Sequence, residues 1–196
     1  MQMILASQSP RRKELLAFLG HPFLTMPADA DESIPQGMGP EEAVRLLARR
    51  KANLVAQSHP DDLVIGADTV VAIDGRILGK PESPQQAAEM LALLSGRIHS
   101  VYTGVCLQKN GERRAFSQRT RVAFYPLTQE EIAWYLDTGE PFDKAGAYGV
   151  QGFGSVFVKG IEGDYFNVMG LPIARLCREI QAFCPGWKLG NTAAQA

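Results

Sequence analysis

Four groups of polar residues in this 196-residue chain are not explained by their immediate neighbours, and each suits a particular chemistry. Ser7-Gln8-Ser9-Pro10-Arg11-Arg12-Lys13 sets two hydroxyls and three cations where a helix begins. A helix N-terminus offers unpaired amides and a partial positive charge, so cations there oppose the dipole unless an anion binds. Phosphate fits such a cradle, and arginine grips it with two parallel hydrogen bonds. The structural alternative is a capped helix with a solvated basic first turn. Asp68 interrupts the apolar run from Leu63 to Ile73. A carboxylate there must be paired, bound to a metal or facing a cleft, because uncompensated burial is costly. Thr69 follows it and points to the opposite face of a strand, so both reach one ligand only near a strand end. Glu32 lies in the acidic turn Asp29-Ala30-Asp31-Glu32, and Lys80 in the tight loop Leu78-Gly79-Lys80-Pro81. Glu32 reads equally well as a solvated loop charge, and for Lys80 taken alone a surface lysine is the commoner outcome.

The elements that must position these residues follow from periodicity and caps. Ile4-Leu5-Ala6 reads as a first strand, Ser9 as the cap and Pro10 as the first residue of a helix ending at Gly20. Phe23 to Met26 suits a second strand. A long helix is predicted from Pro40 to about Ser58, with Val44, Leu47, Lys51, Leu54 and Val55 at helical spacing, which puts Lys51 on or beside the apolar stripe. The strand Leu63–Ile73 turns back at Asp74-Gly75 into Ile77-Leu78, and a helix follows from Pro84 to Leu94. Alternation from Ile98 to Phe124 around Asn110-Gly111 predicts an antiparallel hairpin. Thr128 and Glu131 form a capping box for a helix through Leu136. A glycine-rich loop, Gly146 to Gly154, leads to a strand at Val156-Phe157-Val158, and a last helix runs from Pro172 to Phe183. Alternating strands and helices followed by hairpins predict an α/β domain on a partly antiparallel, twisted sheet over residues 1–184, with a frayed tail at 185–196.

Composition narrows the classes. Twenty basic and 21 acidic side chains leave a net charge of -1, which argues against a duplex nucleic-acid binder. No apolar stretch reaches the roughly 18 residues of a membrane-spanning helix, and the N-terminus lacks the basic start of a secretory signal. Cys106, Cys177 and Cys184 form no C-x-x-C pair, as expected of core thiols in a reducing cytoplasm. There is no Walker phosphate loop, no dinucleotide fingerprint and no nucleophile elbow. His21, His59 and His99 are scattered without zinc-site spacing.

The motifs, taken together, resemble those of the Maf nucleoside triphosphate pyrophosphatases. Ser7-Gln8-Ser9-Pro10-Arg11-Arg12 is similar to the family's opening S-x-S-P-R-R signature. The likeness continues through Gly66-Ala67-Asp68-Thr69-Val70-Val71, Gly79-Lys80-Pro81, and Leu94-Ser95-Gly96-Arg97 with His99 and Thr103-Gly104-Val105. It ends with Gly139-Glu140-Pro141, the run from Asp143 to Gly152, and Gly170-Leu171-Pro172. The resemblance implies an elongated mixed sheet flanked by helices, two lobes with a central cleft, related to the inosine-triphosphate pyrophosphatases. It also implies a divalent cation (Mg²⁺ or Mn²⁺), a cytoplasmic location and a homodimer. By position, Asp68 matches the catalytic base, Arg11, Thr69 and Gln151 match positions of substrate choice, and Arg12, Glu32, Lys51 and Lys80 match other functional polar positions. The block Ala147-Tyr148-Gly149-Val150-Gln151-Gly152 is similar to the branch acting on dTTP and UTP, not the one acting on 7-methyl-GTP. The implied reaction is hydrolysis to the monophosphate and pyrophosphate, with sanitation of modified nucleotides as a role. Asp68 serves either as base or, with Glu32, as metal ligand, while Ser7, Ser9 and the cations hold the triphosphate. The rival from another class is a non-catalytic nucleotide-binding regulator of cell division, which has no use for Asp68.

Overall fold

The computed structural model describes residues 2–190. Seven strands and six helices are built in the order β1 (Met3–Ala6), α1 (Pro10–Ala17), β2 (Phe23–Thr25), α2 (Pro40–Ala56), β3 (Leu63–Ile73), β4 (Arg76–Leu78), α3 (Pro84–Leu94), β5 (Ile98–Lys109), β6 (Glu112–Phe124), α4 (Gln129–Asp137), β7 (Val158–Glu162), α5 (Tyr165–Met169) and α6 (Ile173–Phe183) among the described residues. Strands hydrogen-bond in the order β2-β1-β3-β5-β6-β7, with β4 on β3, as the mixed α/β sheet expected. The β3–β4 turn has positive φ at Asp74 and Gly75, and the β5–β6 turn at Asn110 and Gly111. That is what a two-residue turn matching strand twist requires.

The chain gathers into two compact units. The first holds the described residues of Met1–Asp68, Thr103–Gln118 and Gly170–Ala196. In it β1 pairs in parallel with β2 and with β3, Ala6 lying opposite Gly66. The loop Ser7-Gln8-Ser9 therefore leaves β1 at the level where β3 approaches Asp68. Helix α2 packs on this sheet through Ala48, Ala52, Val55 and Ala56, against Ile4, Val64 and Cys106. Its approach is close because glycine faces it twice. A Cβ on Gly66 would lie 2.3 Å from the Ala48 carbonyl oxygen, and one on Gly104 2.2 Å from that of Val44. Since side chains alternate along a strand, Val64, Gly66 and Asp68 share the face turned to α2.

The second unit holds Thr69–Tyr102 and Arg119–Met169. Its core joins Val71, Ile73, Leu91, Leu94, Val122, Phe124, Tyr135 and Phe157. The strand expected at Val156 starts at Val158, because Gly152–Phe157 coils as a 3-10 turn that buries Phe157. Helix α5 was not foreseen: five residues carry too little of an apolar period to register. In the first unit, Gly190 N donates to Leu19 O at 2.9 Å, and Trp187 packs on His21 with ring centroids 5.0 Å apart. Residues 185–190, expected to fray, are thus tied to the turn after α1. Residues 191–196 lie outside the described residues.

Gly66→Ala should cost about 1–3 kcal/mol by overpacking, since the clash is with helix backbone that cannot swing aside. Urea unfolding of the variant beside wild type checks it; an unchanged midpoint would mean that α2 is free to move.

Candidate active site

The first unit gathers one charged cluster. Lys51 Nζ lies 2.5 Å from Asp68 Oδ1 and 2.6 Å from Glu32 Oε1. The Lys51 and Asp68 side chains keep only 11% and 12% of their surface, while Glu32 is exposed. The long apolar stem of Lys51 runs along the α2 stripe and its ammonium emerges beside β3. The carboxylate in the apolar strand is therefore paired, as its burial demanded.

Glu32 is delivered by a helper that the sequence reading passed over. Arg50, next to Lys51 on α2, donates to the backbone oxygens of Asp31 at 2.9 Å and Ser33 at 2.6 Å. Asp31 in turn accepts from Ser33 N at 2.9 Å and Ser33 Oγ at 2.8 Å. The acidic turn is thereby laid against α2 with Glu32 at the lysine. The run Arg49-Arg50-Lys51, facing a loop that is acidic at Asp29-Ala30-Asp31-Glu32, was the available signal.

Ser9 caps α1 by accepting from Arg12 N, with Pro10 in the first turn as expected. Ser7 Oγ accepts from Ser9 N at 3.2 Å and from Arg12 Nη1 at 3.4 Å. Arg12 also donates to Ala67 O and Gly170 O, both at 2.9 Å. It thus braces the carbonyl just before Asp68 as well as standing at the helix start. Burial draws the Arg12 pKa below the usual guanidinium value; Asp68 opposes this, Arg11 adds to it and Glu32 opposes it. Arg11 is half-buried on the same first turn. Ser7, Ser9, Arg11, Arg12, Glu32, Lys51 and Asp68 are all in this unit.

Thr69, Lys80 and Gln151 belong to the second unit. Lys80 is exposed on its loop, which is held by Gly146 N donating to Gly79 O at 2.9 Å. Gly146 also presses on Val71 of β3, where a Cβ would lie 2.8 Å from Cγ2. The glycine-rich segment is rooted by Tyr148, whose ring packs edge-on against His99 and Phe124 at 5.3 and 4.7 Å. His99 Nε2 and the Tyr148 hydroxyl are 2.8 Å apart. Gln151 is half-buried, and its side chain does not cap the 3-10 turn that follows it.

A divalent cation fits the donor set in one manner. Asp68 and Glu32 are hard oxygen donors converging on a single cation, Lys51 Nζ. Magnesium is commonly held by one or two carboxylates together with substrate phosphates. No group of three or more His, Cys, Asp or Glu able to hold a metal occurs among the described residues.

A family model described as Maf-like protein matches residues 2–183. A dTTP/UTP pyrophosphatase of Bacillus cytotoxicus is 51% identical over 185 residues, covering 94% of this chain and 97% of that one. A second, from a Geobacillus species, is 52% identical over 186 residues, covering 95% and 99%. Among solved structures, the Staphylococcus aureus Ham1 protein aligns with a TM-score of 0.45 at 14% identity, covering 63% of this chain and 72% of that one.

Burial lowers the His99 pKa from its ordinary 6.5 to about 4. Between those values the unfolded chain binds a proton that the folded chain refuses, so stability falls as the pH drops through that window. From pH 7 to pH 5 His99 should remove about 2 kcal/mol of stability. Denaturant unfolding of wild type and His99→Gln at both pH values isolates it; parallel losses in the two proteins would refute a buried neutral imidazole.

Proposed function

The chain belongs to the Maf family, and from that premise we propose that it hydrolyses dTTP and UTP to the monophosphate and pyrophosphate, with residues 1–184 as its pyrophosphatase domain. One observation carries the chemistry: a strand carboxylate, Asp68, is held by the buried ammonium of Lys51 beside the arginine-bearing start of α1. The nucleotide preference is supported by relatives of that name, at 51–52% identity over almost the whole of each chain.

In this reading the Ser7 and Ser9 hydroxyls and the Arg11 and Arg12 guanidiniums hold the triphosphate at the helix start. Asp68 orients a water and takes its proton as the oxygen attacks the α-phosphorus in line. The bond from that phosphorus to its bridging oxygen breaks, and pyrophosphate departs with the bonding pair. Lys51 and Lys80, with the two arginines, neutralise the charge that develops on it. A divalent cation held by Glu32, with Asp68 as its second ligand in the alternative where Asp68 is not the base, would further screen the triphosphate and favour departure of the anion. Thr69 and Gln151 act in substrate choice. The Gln151 amide offers a donor and an acceptor, and uracil and thymine each present both. One methyl group separates the two bases, worth only about 1–3 kcal/mol in an apolar pocket, so both triphosphates serve.

The reading extends to a cytoplasmic homodimer that removes modified nucleotides from the pool. The three cysteines are free and buried, as a reducing compartment leaves them. No described helix is long and apolar enough to cross a membrane.

Asp68→Asn should keep the fold, because Lys51 retains Glu32 as a partner, yet lower kcat by about 10²-fold or more. Thermal unfolding and steady-state rates check both halves. A variant within a few-fold of wild type would favour the nucleotide-binding regulator over the enzyme. On a panel of triphosphates with Mg²⁺ or Mn²⁺, dTTP and UTP should turn over well above ATP and GTP and release pyrophosphate, not orthophosphate. Excess chelator should abolish the rate, and Gln151→Ala should erode the base preference with little change in melting temperature. Equal rates on purines and pyrimidines, or preference for 7-methyl-GTP, would overturn the assignment of substrate.

A further inference from the structure

The glycine-rich segment has the composition of a phosphate-cradling loop, yet three of its amides are taken by the protein's own side chains. Phe153 N donates to Glu140 Oε2 at 2.8 Å, and Gly154 N to Glu140 Oε1 at 3.2 Å. The same Oε1 accepts from the Tyr135 hydroxyl at 2.8 Å, and that hydroxyl accepts from Gly149 N at 3.1 Å. The amides of Gly149, two residues before Gln151, and of Phe153 and Gly154 after it are thus bound to one carboxylate–phenol pair.

The glycines are explained by this wrapping. A Cβ on Gly152 would lie 2.4 Å from Glu140 Oε2, and one on Gly154 2.7 Å from the Tyr135 hydroxyl oxygen. Gly152 also has φ of +75°, a turn that a side chain would strain. The two limbs meet, since a Gly154 Cβ would sit 2.5 Å from the Gly149 oxygen. The clamp is anchored in the core. Tyr135 is fully buried on α4 with its ring 5.1 Å from that of Phe157, and burial raises its hydroxyl pKa above the usual value. Lys144 Nζ donates to Glu140 O at 2.7 Å and to Asp143 Oδ1 at 2.6 Å, which steadies the backbone carrying Glu140. Gln151 sits at the crown of this loop, without a capping bond of its own.

We propose that Glu140, through Tyr135 and the amides of Gly149, Phe153 and Gly154, is a positioning residue for base selection, fixing the loop so that Gln151 presents its amide in one orientation. This rests on Gln151 reading the base, as set out above. A loop pinned at both limbs keeps that amide preorganised. Released, it would sample orientations in which a purine edge fits as well as a pyrimidine one.

The test compares Glu140→Ala, Glu140→Gln, Tyr135→Phe, Gln151→Ala and the double variant Glu140→Ala with Gln151→Ala. For each, kcat/KM is measured on UTP, dTTP and ATP, with the melting temperature and amide exchange across 146–157. Glu140→Ala should speed exchange at Phe153 and Gly154 and cut the UTP-to-ATP ratio about tenfold, with Glu140→Gln between it and wild type. Tyr135→Phe, which keeps the ring's volume, should speed exchange at Gly149 and lower the ratio in the same direction. The double variant should show a ratio no lower than Gln151→Ala alone, since one residue acts through the other. A merely structural Glu140 would lower all three nucleotides equally and leave the ratio unchanged, which overturns the proposal. So would additive losses in the double variant. If Gln151→Ala leaves the ratio unmoved, the base-reading role itself has failed, and the positioning role with it. If Glu140→Ala does not fold, Glu140→Gln and Tyr135→Phe decide the outcome by the same ratio.

Discussion

Lys51 Nζ and Asp68 Oδ1, 2.5 Å apart and almost wholly screened from water, impose their needs on the whole first unit. A strand carboxylate among Val64, Gly66, Ala67 and Val70 has no cation on its own strand, and here the counter-charge comes from a helix. A lysine on α2 reaches it only if the helix lies almost on the sheet. Gly66 and Gly104 permit that approach, each where a single added carbon would meet helix backbone. The stripe Val44, Ala48, Ala52 and Val55 supplies small side chains for the same contact. Removing Lys51 would leave the Asp68 carboxylate buried without its cation, whereas removing Asp68 leaves Lys51 paired with Glu32.

Other features of the unit converge on that pair. Parallel pairing of β1 with β3 brings the Ser7–Ser9 loop level with the approach to Asp68. Arg12 fastens the loop by donating to Ala67 O, and Arg50 folds the acidic turn so that Glu32 meets the same ammonium. Cations and carboxylates are thus fixed before any nucleotide arrives. Electrostatic stabilisation of a leaving pyrophosphate depends on such preorganisation, because groups already in place need no rearrangement as charge develops.

The second unit solves a different problem. It must hold a short irregular segment, where regular hydrogen bonding cannot fix the backbone. Buried aromatic rings root the segment at Tyr148, and one carboxylate supplies acceptors for two amides that lack partners within it. Buried or half-buried polar backbone must be satisfied somewhere, and Glu140 is where these amides are satisfied.

The sequence by itself determined the local elements and the inventory of reactive groups. Ser9 and Thr128 announced their caps, Asp74-Gly75 and Asn110-Gly111 their turns, and the helix from Pro40 its stripe apart from Leu54, which is exposed, because these signals act between residues a few positions apart. Asp68 stood out because one charge in an apolar strand is costly wherever the strand goes. Only the tertiary structure decided that Lys51 partners Asp68, that Arg50 carries Glu32 to them, and that Arg12 braces Ala67 O. It likewise decided that Glu140, read only as part of Gly139-Glu140-Pro141, is the acceptor inside the glycine-rich loop. These contacts join residues 13 to 55 positions apart. Periodicity and capping rules reach only a turn or two of helix. Longer pairings are set by how closely the elements pack, and here that closeness comes from glycines whose missing side chains leave no periodic mark.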